Sequence, residues 1–249
     1  MITPDQQSYL RRLLFADIQT VSAVPEYDSL DAPMRKLWDQ RAAAFRETGD
    51  KSPAELWQER AGLYAEFGRI VCIGLGYFVI DAAGHAELRI KSLQSDSEIA
   101  VLDSFTEMLK QARFNGRGNK QTILCAHNGK EFDFPFLCRR LLLNNLPLPD
   151  LLDIMGRKPW DIPHADTMEL WRFGEKRAYV SLAGLALLFG LNGAENEIEK
   201  VNVSELWYSD ARQTVAAHAR RQVALTAQVL MRLLRFPALR EDQLVFVEE

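Results

Sequence analysis

Cysteine is scarce in this chain of 249 residues: Cys72, Cys125 and Cys138 are the whole supply, far apart and without a CxxC pair. That excludes a disulfide framework of the secreted type and fits reduced, mostly buried thiols in a cytoplasmic protein. Long hydrophobic runs are missing too. No apolar stretch approaches the roughly 18–20 residues of a membrane span, and the opening MITPDQQSYLRR lacks the apolar centre of a secretory signal. The expectation is a cytoplasmic protein with no membrane partner. Nor is positive charge in excess: 34 acidic against 30 basic side chains leave a formal charge of −4. This excludes a generally basic nucleic-acid coat protein, while a local basic groove stays open because net charge averages over every face. Repeats, low-complexity tracts and convincing linkers are absent from the sequence, so one elaborated domain over residues 1–249 is expected.

What is present is an ordinary globular composition, 47% hydrophobic, enough for a sizeable core. LLFADIQT (13–20) reads as a strand of period two, with Leu13, Phe15, Asp17 and Gln19 on one face and Leu14, Ala16, Ile18 and Thr20 on the other. Residues 21–68 read as a helical insertion: a Pro-containing loop, a helix near 32–47, a Gly-Asp break, and a second helix opening at Ser52-Pro53 with Glu55 completing a capping box. RIVCIGLGYFVI (69–80) and HAELRIKSL (85–93) suggest an antiparallel hairpin turned at Asp81–Gly84. Ile99, Leu102, Phe105 and Leu109 are spaced as in a helix over 96–113, and FNGRGNK reads as a loop. A buried strand at 121–128, a helix at 132–146 stopped by Pro147, an irregular Pro-rich stretch to 165, and helices near 181–190 and 210–235 complete the reading, with a weakly specified tail from Pro237. Strands interleaved with helices favour a mixed α/β layer structure.

Three segments carry polar residues that a core would not place there. They are Asp17-Ile18-Gln19-Thr20 at a strand end, His127 to Pro135, and His218 with Gln222 at i, i+4 on a late helix. FADIQT resembles the first motif of the DEDD 3′–5′ exonucleases, where a strand end carries Asp-x-Glu. AHNGKEFDFPFL is similar to the second motif, and the run from His218 to Gln222 aligns with the third, normally Tyr-x-x-x-Asp. DTMELWRFGEKRAYVSLAGLALLFGL resembles the segment between the second and third. The likeness covers residues 13 to 234 and is closest to predicted exonucleases related to the proofreading domain of family B DNA polymerases.

The resemblance implies a ribonuclease H-like mixed β-sheet flanked by helices, Mg²⁺ or Mn²⁺ as cofactor, and nucleic-acid 3′ ends as partner, DNA before RNA. It places the site at Asp17, Gln19, Asp133, His218 and Gln222, with Asp17 and Asp133 as the metal ligands. Asn128 would orient the second motif, and Lys130, Arg139 and Arg140 would contact nucleic acid. Glutamine stands at 19 and 222 where the family has acids, and histidine at 218 where this branch has tyrosine. A histidine base used elsewhere in these exonucleases is spaced differently. Four carboxylates would become two, lowering the ligand charge from about −4 to about −2 around ions that take most of their affinity from anionic oxygens. The expectation is therefore weak or lost two-metal hydrolysis, unless Asp210, Asp166 or Glu169 compensates. The alternative is a non-catalytic nucleic-acid- or protein-binding scaffold.

Blander readings stand beside these. Asp166 suits a helix cap, Asn128 and Asp133 an Asx turn and a helix-dipole charge, and His218 with Gln222 a solvated stripe. Arg139-Arg140, Lys130, Arg172 and Lys176-Arg177 fit a phosphate track or solvated helix faces. Phe132, Phe134 and Phe136 read as core; Trp171, Phe173 and Tyr179 remain open between core and base-stacking roles.

Overall fold

The computed structural model describes residues 2–45, 49, 51–114, 122–175, 177–192, 194 and 201–247. The glycine-rich part of FNGRGNK (115–120), Gln121 and Lys176 lie outside them. The first strand, β1 (Leu13–Ser22), is longer than its apolar run suggests. It pairs antiparallel with β2 (Gly68–Ile80), which forms the expected hairpin with β3 (Ala86–Gln94). On its other side β1 pairs parallel with β4 (Ile123–Ala126), and β4 with the two-residue β5 (Ala165–Asp166). A sixth strand, β6 (Leu244–Phe246), emerges from the weakly specified tail and runs parallel to β3, giving the order β5-β4-β1-β2-β3-β6. This is the ribonuclease H-like mixed sheet.

Helices cover both faces, and the two faces of β1 go to different cores. Leu14, Ala16 and Ile18 pack with Leu102, Phe105 and Leu109 of α4 (Glu98–Phe114) and with Phe134, Leu137 and Leu141 of α5 (Asp133–Leu143). Leu13 and Phe15 face Val223, Ala224, Ala227 and Leu230 of α9 (Arg212–Leu233). Each of the larger side chains here, Leu, Ile, Val or Phe, stabilises the fold by roughly 1.5–3 kcal/mol when buried, and each alanine by less. Ile99, expected in the α4 stripe, is 46% exposed, and Val101 takes the buried place instead. The reason is geometric: Ile99 sits in the first turn, outside the arc that faces the sheet.

Between β1 and β2 lie α2 (Ala32–Ala43), shorter than read, and α3 (Pro53–Arg60). They gather a core of their own around Trp38, Trp57 and Phe67. The capping box forms: Ser52 N donates to Glu55 Oε2 (2.8 Å) and Glu55 N to Ser52 Oγ (3.3 Å). Short helices not anticipated are α1 (Pro4–Leu10) and α8 (Val203–Tyr208), while α6 (Thr167–Arg172) follows Asp166, which one reading took for a helix cap; α7 (Leu182–Leu188) was expected and packs on α9. The Tyr208 hydroxyl donates to Ser22 O (2.6 Å), fastening α8 to the end of β1. The cysteines form no disulfide, and Cys72 and Cys125 are buried. Among the described residues no helix is long and apolar enough to cross a membrane.

Candidate active site

Because β1, β4 and β5 are parallel, their C-terminal ends share one edge of the sheet, where open α/β folds bind ligands. That edge carries Asp17, His127-Asn128 and Asp166. Asp17 follows Phe15 on the α9 face of β1 and is half-buried; Gln19, next on that face, is buried. The Gln19 side-chain amide donates from Nε2 to Asp17 Oδ2 at 2.6 Å. A glutamate there would set two anions side by side and require a cation between them. The amide supplies a donor instead and partners Asp17 with no ion.

Asp133 arrives from the opposite face. It opens α5, and its Oδ1 accepts from Ile18 N at 3.0 Å, so it grips β1 between Asp17 and Gln19. Burial pushes its carboxyl up to about 7; the Ile18 amide and its own backbone N–H hold it down, and Asp166 raises it further. The turn that delivers it is built tightly. Asn128 takes φ +62°, in the left-handed region that asparagine tolerates, and its carbonyl accepts from Phe132 N (3.0 Å). At Gly129 a Cβ would sit 2.3 Å from Ala126 Cβ, so only glycine fits. His127 donates from Nε2 to Val180 O (2.9 Å), which leaves Nδ1 to accept from the Thr167 hydroxyl (2.8 Å); burial lowers its pKa and keeps it neutral.

The third pair of positions lies on α9. A Cβ on Gly74 would stand 2.5 Å from Ala219 O, and one on Gly76 2.6 Å from Val223 Cγ1. Gly74 is the register partner of Asp17, so α9 crosses the sheet at the level of Asp17, with His218 beside Ala219 and Gln222 beside Val223, both half-buried. Among the described residues no group of three or more His, Cys, Asp or Glu side chains is gathered to hold a metal ion. With two acids, two amides and the Gln19 NH₂ turned to Asp17, the donor set fits a divalent pair poorly.

The acids considered as substitutes are held elsewhere. Asp166 is buried and accepts from four backbone amides: Asn128 N (2.9 Å), Lys130 N (3.0 Å), Met168 N (2.9 Å) and Glu169 N (3.3 Å). It therefore caps α6, as one reading expected, and also pins the turn that leads to Asp133, which that reading missed. Its signal was its place between an apolar residue and a helix start in HADTMELW. Glu169 pairs with Lys130 Nζ (2.6 Å), and Asp210 with Arg212 (3.2 Å).

The cations divide. Arg139 is exposed. Lys130 is held by Glu169. Arg140 turns inward, donating from Nε and Nη2 to Glu98 (2.8 and 2.6 Å) and from Nη1 to Ala65 O (2.8 Å), while Ile70 N and Asn144 Nδ2 also donate to Glu98. A guanidinium so placed clamps α5 to α4.

Comparison with known proteins adds the following. The family described as "Predicted 3'-5' exonuclease related to the exonuclease domain of PolB" matches residues 63–243. A family B DNA polymerase from the hyperthermophilic archaeon Pyrobaculum calidifontis is similar in structure, with a TM-score of 0.50 and 13% sequence identity over 90% of this chain. The chain spans 24% of that polymerase's length. No curated protein matches the sequence.

Proposed function

Starting from the chain's membership of the family of predicted 3′–5′ exonucleases related to the exonuclease domain of PolB, we propose that it engages nucleic-acid 3′ ends, DNA before RNA, while hydrolysing them weakly or not at all. The observation that carries this is the 2.6 Å hydrogen bond from Gln19 Nε2 to Asp17 Oδ2. In a site that hydrolyses phosphodiesters through divalent ions, carboxylates supply both the affinity for the ions and the field that makes a bound water acidic. Here an amide satisfies Asp17 directly, and Asp133 has a hydrogen bond to the strand. Losing two charges beside a divalent pair costs several kcal/mol even at an effective dielectric of about 20. Asp166, Glu169 and Asp210 have partners of their own. On this reading the strand end keeps Asp17, Gln19, Asp133, His218 and Gln222 in the active-site positions and Asn128 orienting the second motif, while Arg139 stays exposed on α5.

The test uses 3′-labelled single- and double-stranded oligonucleotides with Mg²⁺ or Mn²⁺. The unmodified protein should retain 3′-end binding with trace or no cleavage. A Gln19→Glu/Gln222→Asp variant should bind Mn²⁺ measurably in calorimetry and gain cleavage. Robust turnover by the unmodified protein that Asp17→Ala abolishes would overturn the proposal; absence of any nucleic-acid binding would leave a scaffold for a protein partner.

A further inference from the structure

Three aromatic residues on the segment after β5 separate in the structure. Trp171 packs edge-on against Phe189, centroid to centroid 5.9 Å. Phe173 and Tyr179 stand 88% and 63% exposed. Phe173 also holds φ +46°, ψ 35° at the end of α6. That is the left-handed region, which glycine enters freely and a bulky L-residue enters only at a cost. No packing compensates, because the ring lies almost wholly in solvent. The torsion ends α6, with Phe173 N donating to Leu170 O, while the choice of a large aromatic ring held in solvent at that position invites a functional reading.

Tyr179 is fixed in a different way. The Arg172 guanidinium lies 4.2 Å from the centre of its ring, and its hydroxyl donates to Glu131 Oε2 (3.1 Å). Arg172 Nη1 closes the triangle by donating to Glu131 Oε1 (2.9 Å). Cation–π contact and hydrogen bond together hold the ring in one orientation before any ligand arrives, with much of it still open to solvent. Glu131 stands two residues before Asp133 in the same tight turn, so the ring borders the candidate site.

On the proposed function, on which this rests, we propose that Phe173 and Tyr179 form a shelf where unpaired bases of single-stranded nucleic acid stack as the strand approaches Asp17 and Asp133. The occupant follows from the surroundings. The rings stand beside the ion pairs of Arg172 with Glu131 and Lys130 with Glu169, and Tyr179 is tied through Glu131 to the turn that delivers Asp133 to the candidate nucleic-acid site. Flat, amphipathic bases suit exposed aromatic rings beside such a site, and every base has a face to offer once it is unpaired. Bases in a duplex have their faces covered, so the shelf selects single strands.

The experiment measures binding of fluorescently labelled single-stranded and duplex oligonucleotides in EDTA, which prevents cleavage. Phe173→Ala and Tyr179→Ala should each weaken single-strand binding about tenfold, a stacking contact's usual share, with little effect on duplex. Phe173→Trp should keep the affinity. An abasic site near the 3′ end should weaken binding to the unmodified protein and add little to the loss in Phe173→Ala. Melting temperatures should not fall, and Phe173→Gly should melt slightly higher as backbone strain is released. Oligonucleotide binding that both alanine variants retain in full would overturn the shelf while leaving the 3′-end reading intact. An unmodified protein that binds no oligonucleotide overturns both. A loss that tracks a lowered melting temperature and that Phe173→Trp fails to rescue makes Phe173 structural and also overturns it.

Discussion

The contact between β2 and α9 brings the helix close to the level of Asp17, and glycine makes it possible. Replacing Gly74 by alanine would bring a Cβ within 2.5 Å of Ala219 O and 2.8 Å of Ala219 C, both backbone atoms of a long helix that cannot rotate away. Gly76→Ala meets Val223 Cγ1 at 2.6 Å, a side-chain methyl that can move, and otherwise only ordinary contacts at 3.6 Å. Overpacking costs about 1–3 kcal/mol, and alanine returns about 0.4–1 kcal/mol by restricting the unfolded chain. For Gly74 the backbone clash takes the upper end of the cost, and the net loss should be about 2 kcal/mol, or about 4–8 °C in melting temperature. For Gly76 the two effects nearly balance, and the net loss should stay under about 1 kcal/mol. Urea unfolding of both variants, alone and combined with Val223→Ala, separates the causes. Truncating Val223 should relieve Gly76→Ala and leave Gly74→Ala almost unrelieved. Because α9 carries His218 and Gln222 past Asp17, Gly74→Ala should also weaken 3′-end binding. Equal tolerance of both alanines, or equal relief of both by Val223→Ala, would refute this account of how helix and strand meet.

Two further predictions concern buried charge. His164 is buried against the Phe134 ring (5.0 Å) and donates from Nε2 to Leu151 O, while its Nδ1 has no hydrogen-bond partner among the described residues; burial lowers its pKa to about 4. Between an unfolded value near 6.5 and about 4 only the unfolded chain takes up this proton, so stability falls as pH drops through that window, by about 3 kcal/mol in full. Asp133, raised to about 7, acts in the opposite sense, binding its proton in the folded state and losing stability as pH rises toward 7. Asp133→Asn should therefore expose the His164 slope, and urea titrations from pH 4 to 7 should show stability increasing with pH more steeply in the variant than in the unmodified protein. Arg140→Met should cost about 3–5 kcal/mol by leaving the Glu98 carboxylate buried without its cation. Adding Glu98→Gln should recover part of that, as a double-mutant cycle in urea would show; simple additivity would contradict a direct pair.

Much of this architecture could be read from residue order because local chemistry and global fold agree there. The alternation in LLFADIQT divides between two cores as expected, the Ser52/Glu55 box caps its helix, and the hairpin turns at Asp81–Gly84, where Asp81 N donates to His85 O (3.0 Å). The elements missed or left open are short: α6 and α8 span six residues each and β5 two, too few for a period to emerge. Their stability comes from side-chain caps, Asp166 and Asn202, and from tertiary pairing. In the candidate site, the strand end and the turn into α5 were legible as motifs. The direction of Arg140 was not, since a basic pair on a helix says nothing about which neighbour carries a buried Glu98. Phe173 escaped for a different reason: whether a ring after a helix end points inward depends on a backbone torsion that composition does not encode.

The brevity of the outermost strands has a consequence for how the protein keeps company with itself. An open sheet, of six strands among the described residues, has two outer flanks, and the free amide and carbonyl groups of such a flank are a template for a stray chain to lengthen the ladder. Here the flanks are two residues of β5 and three of β6. Beyond β5 the chain coils at once into a helix capped by Asp166, and before β6 it winds through a tight helical turn at Glu241–Gln243. A strand arriving from another molecule would find a hydrogen-bonding register too short to hold it. The long apolar strands β1 and β2 lie inside the folded sheet, paired on both sides and closed to such addition.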